Sequence, residues 1–220
     1  MSNKEAWEYR VYEWRVSHQG TPEAVAKKII ENPREFLRFH SSMFPELEGK
    51  KVASICGSDG RRAVALAVLG GNPTVFDLSE PQKDYAMELA KAANVNIGYE
   101  VGDFCSYDEQ KYSNYFDYAY AEGGILHYFH DLPEFFTKAY LMLNEGGMFI
   151  MSDYHPFQKT CVVEKAKRNV ELTEGNYFDD RVVLGHVPYL KYFPENIRLM
   201  YLNLWCLGLR VNEVCCIKGN

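Results

Sequence analysis

The sequence KVASICGSDG, residues 51–60, is a short apolar run that passes directly into a loop with two glycines. Apolar residues then recur at helical spacing from Ala63 to Val68, and Gly70 and Gly71 end that segment. A buried strand, a tight glycine loop and an amphipathic helix in this order are typical of a βαβ unit, in which the strands are parallel. The stretch therefore predicts an α/β fold.

The same alternation continues along the chain. Strands are predicted at 74–77, 96–101, 116–121 and 148–153, with helices at 79–93 and 131–143. Ser79 with Gln82 three residues later has the spacing of a capping box, which supports a helix start at this point. Short apolar strands that alternate with amphipathic helices predict a doubly wound, mostly parallel sheet with helices on both faces.

Both ends of the chain lie outside this alternation. Thr21-Pro22 and Asn32-Pro33 are helix-start signals, so residues 1–47 are predicted to form a helical N-terminal cap on a main domain of residues 48–220. After the fifth strand the pattern is weaker. It predicts a strand or hairpin at 182–189, a helix at 195–207 and a last strand at 209–217.

Composition and charge exclude several classes of protein. The 220 residues are 47% hydrophobic and carry a net charge of −6, without the basic run that nucleic-acid binding requires. No apolar run approaches the roughly 18 residues of a membrane span. The cysteines and histidines lack metal-ligand spacing, so we expect no metal site and free thiols in a reducing compartment. We therefore expect a cytoplasmic protein with no nucleic-acid or membrane partner, as a monomer or a homodimer.

Chemically informative residues follow the carboxyl ends of the predicted strands, where doubly wound sheets bind their ligands. They are Gly57, Ser58, Asp59 and Gly60 after the first strand, Asp77 and Leu78 after the second, Asp103 and Phe104 after the third, and Glu122 and Gly123 after the fourth. Asp77 lies 17 residues after Gly60, about where an acid holds a ribose diol. These residues predict a nucleotide-like ligand at one edge of the sheet.

Structural explanations stay open for several of these positions. The glycine loop fits a tight turn as well as a ligand-binding loop. Asp103 either caps a turn or accepts a hydrogen bond from an exocyclic amine of the ligand. Asp117 lies inside the fourth strand and is predicted to be a structural acid near the start of that strand.

Residues 50–157 resemble the class I S-adenosylmethionine-dependent methyltransferases, particularly small-molecule members with a helical N-terminal cap. The matching motifs are VFDLS at 75–79, VGDF at 101–104, the fourth-strand segment 116–128 and LNEGG at 143–147. The resemblance implies a Rossmann-like sheet and S-adenosyl-L-methionine as the cofactor, with a small molecule as the methyl acceptor. It also implies that Asp77 holds the ribose, that Asp103 meets the adenine amine, and that Phe104 lies beside the adenine ring.

The first loop departs from the pattern of that family, which has an acid on strand one and then three glycines at alternate positions. Ser54 replaces the acid, Cys56 and Ser58 replace the first two glycines, and Gly60 keeps the third. This departure leaves open a non-catalytic or repurposed cofactor-binding protein of the same fold. An NAD-dependent oxidoreductase is a weaker alternative, because it requires G-x-G-x-x-G and the loop has only Gly57 and Gly60.

The family also closes its sheet with an antiparallel seventh strand. Residues 209–217 are the candidate sixth strand and little chain follows them. Either the closing strand is missing, or residues 182–189 take a place at the edge of the sheet.

Methyl transfer requires alignment of the acceptor and exclusion of water, and it requires a base only if the acceptor must lose a proton. His127 after the fourth strand and His155 after the fifth are the candidate bases, and Tyr154 is a candidate for orienting the acceptor. Glu122 is predicted to face the donor or the acceptor. Arg15 and His18, in the helical cap, are candidate contacts for an anionic group of the acceptor.

Overall fold

The structure is a computed structural model that describes residues 2–153 and the backbone of five segments beyond them. Its α-helices are α1 (Asn3–Glu8), α2 (Val11–Gln19), α3 (Pro22–Glu31), α4 (Pro33–Leu37), α5 (Arg61–Val68), α6 (Glu80–Ala92), α7 (Glu109–Tyr112) and α8 (Leu132–Leu141). Short 3-10 helices cover Arg38–Met43, Phe104–Ser106 and Leu126–Tyr128. Among the described residues, no helix has the length and apolar character needed to cross a membrane.

The strands of the described chain are β1 (Lys51–Ile55), β2 (Asn72–Asp77), β3 (Gly98–Val101), β4 (Phe116–Glu122), β5 (Leu143–Ser152), β6 (Cys161–Glu164), β7 (Asn169–Leu172), β8 (Val182–Gly185), β9 (Leu199–Leu202) and β10 (Val214–Ile217). Six of them form one sheet in the order β10-β5-β4-β1-β2-β3. The five strands from β1 to β5 are parallel, and β10 runs antiparallel to β5. The predicted Rossmann-like, doubly wound and mostly parallel sheet is confirmed.

Strand β1 lies at the centre of the sheet and is buried on both faces. Successive side chains of a strand point to opposite faces. Val52 accordingly packs into a core with α3, α5 and α6, whereas Ala53 and Ile55 pack into a second core with α8. Burial on both sides explains why this strand reads as a continuous apolar run rather than as an alternating pattern.

The predicted N-terminal helices are present and share the first of these cores. Val25 and Ile29 of α3 belong to the same buried cluster as Val52 of β1. The Tyr85 hydroxyl of α6 donates a hydrogen bond to the Gly20 carbonyl over 2.8 Å, and the Tyr12 hydroxyl donates to Glu88 over 2.5 Å. The helices are thus packed against the sheet layer, and the division into a cap of residues 1–47 and a domain of 48–220 stays a prediction.

Two sequence-based expectations for the later strands differ from the structure. The strand predicted at 148–153 begins earlier, at Leu143, and its pairing with β4 shifts from Phe116–Leu143 to Tyr118–Met148. The helix predicted at 195–207 is wrong at Leu199–Leu202, which is β9 and pairs with β8. An apolar run as short as LMYL fits a helix or a strand equally well until its partners are known.

The last strand settles how the sheet ends. The segment predicted as a sixth strand contains β10, and β10 pairs antiparallel with β5 at the edge of the sheet. That is the orientation expected of the family's closing strand, so the expectation that this strand is missing is wrong. The alternative edge strand, β8, pairs with β9 in a separate two-stranded sheet. Hydrogen bonding to β5 decides the direction of β10, and no local sequence pattern encodes it.

Candidate functional site

A cavity of about 420 Å³ lies beyond the carboxyl ends of β1, β2, β3 and β4. It falls within the size range of small-molecule sites. Its lining includes Ser58, Asp59, Asp77, Leu78, Asp103, Phe104, Glu122 and Gly123, all of which the sequence places at strand ends. Gly57 and Gly60 are not among its lining residues in the described part of the chain. These two glycines instead shape the loop that carries Ser58.

The loop after β1 keeps a glycine-type backbone although two of its glycine positions are occupied by other residues. Cys56, Ser58 and Gly60 have φ values of +51°, +52° and +70°. A side chain in this left-handed region costs roughly 1–2 kcal/mol, because Cβ approaches the following carbonyl oxygen. The departures from the family pattern at Cys56 and Ser58 therefore change the side chains of the loop but not the path of its backbone.

Three neighbours hold Ser58 in this conformation. Its N–H donates to Asp77 Oδ2 over 2.9 Å. Its hydroxyl accepts from Arg15 Nη2 over 2.7 Å. Its carbonyl accepts from the Tyr99 hydroxyl over 2.8 Å. Strained residues persist where the surrounding structure fixes them, and these contacts from α2, β2 and β3 do so for the loop.

The two loop glycines are required by close packing. A Cβ on Gly57 would lie 2.6 Å from Ser54 Oγ and 2.8 Å from Val75 Cγ1. A Cβ on Gly60 would lie 2.6 Å from Ala86 Cβ on α6. Alanine has no long side chain that could move away, so the start of α5 lies directly on α6.

Gly60→Ala should destabilise the protein by about 3 kcal/mol, because it adds overpacking against Ala86 to the cost of a left-handed alanine. Gly49→Ala is the matched control, since Gly49 has the same φ of +70° and a Cβ added there would meet nothing within 4 Å. Urea unfolding followed by circular dichroism measures both. Equal losses in the two variants would contradict the packing argument.

Asp77 is the acid at the end of β2. Its Oδ2 accepts from the Ser58 N–H, and its Oδ1 accepts from the Ser79 N–H over 3.1 Å. Ser79 itself caps α6 by accepting from the Gln82 N–H, as predicted. Burial raises the pKa of Asp77 to about 6, and the two backbone hydrogen bonds offset only part of this effect. Asp77 is thus a carboxyl group at the cavity wall whose charge changes close to neutral pH.

Asp103 follows β3 on the same wall. Its Oδ1 accepts from the Cys105 N–H over 2.9 Å and so caps the 3-10 helix Phe104–Ser106. The turn-capping role that the sequence left open is therefore present. Phe104 is buried at the cavity, and its ring centroid lies 6.0 Å from the ring centroid of Phe76. Contact of Asp103 and Phe104 with an adenine ring stays a prediction.

Asp59 and Arg15 form a buried ion pair behind the loop. Arg15 Nη1 lies 3.0 Å from Asp59 Oδ2, and Arg61 Nε lies 2.8 Å from the same oxygen. Arg15 Nε also donates to Gln82 Oε1 over 3.2 Å. Although burial alone would raise the pKa of Asp59, the two guanidinium groups hold that pKa below its ordinary value. The guanidinium of Arg15 is thus engaged by Ser58, Asp59 and Gln82, although Arg15 lines the cavity, and its expected contact with the acceptor stays a prediction.

Glu122, at the end of β4, lies in a cluster that the sequence does not reveal. Its side chain is only 4% exposed. Oε2 accepts from the Tyr120 hydroxyl over 2.5 Å and lies 3.0 Å from His40 Nδ1. Oε1 is paired with Arg62, and Arg38 Nη1 lies 3.9 Å away. Glu122 therefore reaches the cavity as part of an ion-pair network and not as an isolated acid.

The candidate bases stay predictions. His127 lies on the 3-10 helix Leu126–Tyr128 and is not among the cavity-lining residues of the described chain, whereas Tyr128 and Phe129 are. His155 and Tyr154 lie outside the described residues. Cys56 lines the cavity, and burial raises the pKa of its thiol well above the ordinary value, so the thiol is neutral.

Two further acids act structurally. Asp117 accepts from the Lys51 N–H over 2.8 Å at the opposite end of the sheet, so its predicted structural role is confirmed. Asp153, after β5, accepts from the N–H groups of Ile125 and Leu126 over 2.7 and 2.9 Å. Asp153 therefore fixes the loop that carries Gly123 into the cavity wall. Asp153 is not among the site residues predicted from the sequence, although an acid directly after a buried strand is a recognisable signal.

Residues 52–147 match the family model described as a methyltransferase domain. No curated protein has a sequence that matches this chain.

Solved structures share the fold. An S-adenosylmethionine-dependent methyltransferase from Mesorhizobium loti is 21% identical with a TM-score of 0.57, and the match covers 79% of this chain and 76% of that chain. A Listeria monocytogenes protein named as a candidate of the same class is 17% identical with a TM-score of 0.59, over 76% of each chain. Other matched structures are longer, and this chain spans only about half of their length.

Proposed function

We propose that the chain is a class I S-adenosylmethionine-dependent methyltransferase that transfers a methyl group from S-adenosylmethionine to a small-molecule acceptor, as the match of residues 52–147 to a methyltransferase-domain model supports. One observation carries the proposal. Asp77 and Asp103 follow the adjacent parallel strands β2 and β3, and both line the same cavity beside the loop after β1. Nucleotide-like ligands bind doubly wound sheets at this place.

The residues present fit the cofactor. The three alternate loop positions 56, 58 and 60 have the positive φ values for which the family uses glycine. The loop therefore keeps the backbone path of the glycine pattern, with side chains at Cys56 and Ser58. We propose that Asp77 and Leu78 hold the ribose, that Asp103 and Phe104 hold the adenine, and that the loop from Gly57 to Gly60, with Glu122 and Gly123, borders the methionine end. When bound, the cofactor supplies an electrophilic methyl group on a sulfonium.

The chain's own contribution is alignment and exclusion of water. Trp7 of α1 lines the cavity, and its ring meets Tyr128 edge-on at 5.9 Å. Phe129 extends the same apolar wall. These aromatic residues support an acceptor pocket between the N-terminal helices and the loop after β4. His127 or His155 would take a proton from an acceptor that must lose one, and Tyr154 would orient it.

The departures in the first loop favour one other function. Ser54, Cys56 and Ser58 replace residues that the family uses around its cofactor, which supports a protein that binds the cofactor without transferring its methyl group. Dinucleotide binding has less support, because the loop lacks the third glycine of that fingerprint.

Calorimetric titration of the protein with S-adenosylhomocysteine tests the proposed cofactor, with NAD as the competing ligand. We expect micromolar binding of S-adenosylhomocysteine and no binding of NAD. A folded protein that does not bind S-adenosylhomocysteine would refute the proposal. Binding without methyl transfer to any member of an acceptor panel would favour the non-catalytic alternative.

A further inference from the structure

Arg38 is a cavity-lining cation whose side chain makes few contacts with charged groups of the described protein. Its side chain is 65% exposed, and Arg38 is one of the residues that line the cavity. Its one ion-pair contact in the described chain is with Glu122 Oε1 at 3.9 Å, which is too long for a hydrogen bond. Its guanidinium therefore has N–H donors available for a ligand.

The backbone of Arg38 is strained. Its φ is +54° and its ψ is −134°, a region that favours glycine. Strained residues of this kind concentrate at ligand sites. The segment that follows is anchored by His40, which is fully buried and contacts Glu122 and Tyr120. A buried anchor two residues away thus holds the Arg38 side chain beside the cavity.

Glu122 cannot neutralise the two arginines that approach it. Arg62 and Arg38 both face Glu122 Oε1, whereas Oε2 is taken by Tyr120 and His40. One carboxylate therefore faces two guanidinium groups, and at least one positive charge is uncompensated within this cluster. Arg62 Nε is also buried without a hydrogen-bond partner among the described residues. Buried donors without partners are rare and call for an explanation.

We infer that Arg38 and Arg62 bind an anionic group, a carboxylate or a phosphate, on the methyl acceptor. A guanidinium offers donors in a fork that matches these groups. Both arginines approach Glu122, which directly precedes Gly123, and they line the same cavity as the aromatic residues Trp7, Tyr128 and Phe129. The acceptor class is then a small molecule with an anionic group. This inference rests on the proposed function.

The same chemistry has a second source, because the methionine part of the cofactor also carries a carboxylate. Three binding measurements distinguish an anionic acceptor from the carboxylate of the cofactor. The first uses S-adenosylhomocysteine, and the second uses 5′-methylthioadenosine, which lacks the amino-acid end. The third adds benzoate or inorganic phosphate to protein saturated with S-adenosylhomocysteine. Arg38→Gln is the test variant, since the Arg38 side chain is exposed and makes no hydrogen bond to the described residues. Arg34→Gln is the matched control. It makes the same change of charge four residues earlier, at a side chain that contacts Ser41 and does not line the cavity.

We expect benzoate or phosphate to bind the saturated wild-type protein, as measured by calorimetry or ligand-detected NMR. Arg38→Gln should weaken that binding about tenfold, through loss of a charge-assisted contact. It should leave the affinities for S-adenosylhomocysteine and methylthioadenosine unchanged, and Arg34→Gln should change none of the three.

Three results would overturn the inference. In the first, neither anion binds the saturated protein, although S-adenosylhomocysteine does, and the proposed function then survives. In the second, Arg38→Gln weakens S-adenosylhomocysteine but not methylthioadenosine, and the arginines then hold the carboxylate of the cofactor. In the third, S-adenosylhomocysteine does not bind the wild-type protein, and the proposed function falls together with the inference.

Discussion

Arg15→Met should lower the free energy of unfolding by about 3 kcal/mol, because it leaves the buried carboxylate of Asp59 with one partner instead of two. Arg15 is 8% exposed, and it contacts Asp59, the Ser58 hydroxyl and Gln82. Methionine keeps most of the side-chain volume and removes the charge. For a protein of this size the loss corresponds to a fall in Tm of roughly 6–12 °C. Thermal and urea unfolding measure it.

The double variant Arg15→Met/Asp59→Asn isolates the ion pair. Since it removes the buried charge together with its partner, we expect it to be more stable than Arg15→Met alone, with coupling of about 1–3 kcal/mol between the two sites. A loss below about 0.5 kcal/mol in Arg15→Met would show that the pair contributes nothing measurable.

The pH dependence of Arg15→Met has a definite sign. The pKa of Asp59 is lowered in the folded protein, so its contribution to stability is present above the ordinary pKa near 3.8 and is lost as the pH falls below that value. Arg15→Met removes part of this contribution. The difference in stability between wild type and variant should therefore narrow on going from pH 7 to below pH 4.

Asp77→Asn should weaken the binding of S-adenosylhomocysteine by about tenfold to a hundredfold. Hydrogen bonds to a charged acceptor contribute roughly 1.5–3 kcal/mol each, and the proposed ribose contact uses the ionised carboxylate. Asp84→Asn is the matched control, since Asp84 is exposed on α6 and outside the cavity lining. Calorimetry measures both affinities. Thermal unfolding of the unliganded variants tests whether the loop held by Asp77 stays in place.

The pKa of Asp77 also predicts how the affinity for S-adenosylhomocysteine changes with pH. Burial raises its pKa to about 6 from an ordinary value of 3.8, so the folded protein favours the neutral carboxyl. The stability that this group contributes is complete below about pH 3.8 and is lost as the pH rises through about 6. Ribose hydroxyl groups would donate hydrogen bonds to the ionised carboxylate. The affinity for S-adenosylhomocysteine should therefore rise as the pH rises through about 6.

At pH 5 about one tenth of the Asp77 carboxyls in the free protein are ionised, so we expect S-adenosylhomocysteine to bind about tenfold more weakly than at pH 8. Asp77→Asn should remove this dependence. Equal wild-type affinities at the two pH values would argue against a contact between Asp77 and the ligand.

Short-range patterns were sufficient to predict the five parallel strands and the residues of the cavity wall that follow their carboxyl ends. The apolar run before Gly57 predicted β1, and the capping spacing at Ser79 predicted the start of α6. Asp77 and Asp103 follow from these assignments, because the carboxyl ends of parallel strands lie at one edge of a sheet. Predictions that depended on an isolated apolar segment were poorer, as at Leu199–Leu202, where pairing with β8 made a strand of a predicted helix.

The contacts that hold these wall residues join distant parts of the chain. His40 and Glu122 are 82 residues apart, and Arg15 meets Ser58 across 43 residues. No turn signal or periodicity connects such residues, since their meeting depends on how the N-terminal helices pack on the sheet.

The sequence by itself determined the alternation of strands and helices from β1 to β5 and the acids at two strand ends, because capping, turns and hydrophobic periodicity act within a few residues. Only the tertiary structure decided the direction of β10, the pairing of Asp59 with Arg15, and the arginines around Glu122. These features depend on hydrogen bonds and ion pairs that form after the core has brought distant segments together. Short-range sequence patterns therefore determine the residues of the proposed cofactor end. The residues of the proposed acceptor end come together only through tertiary packing.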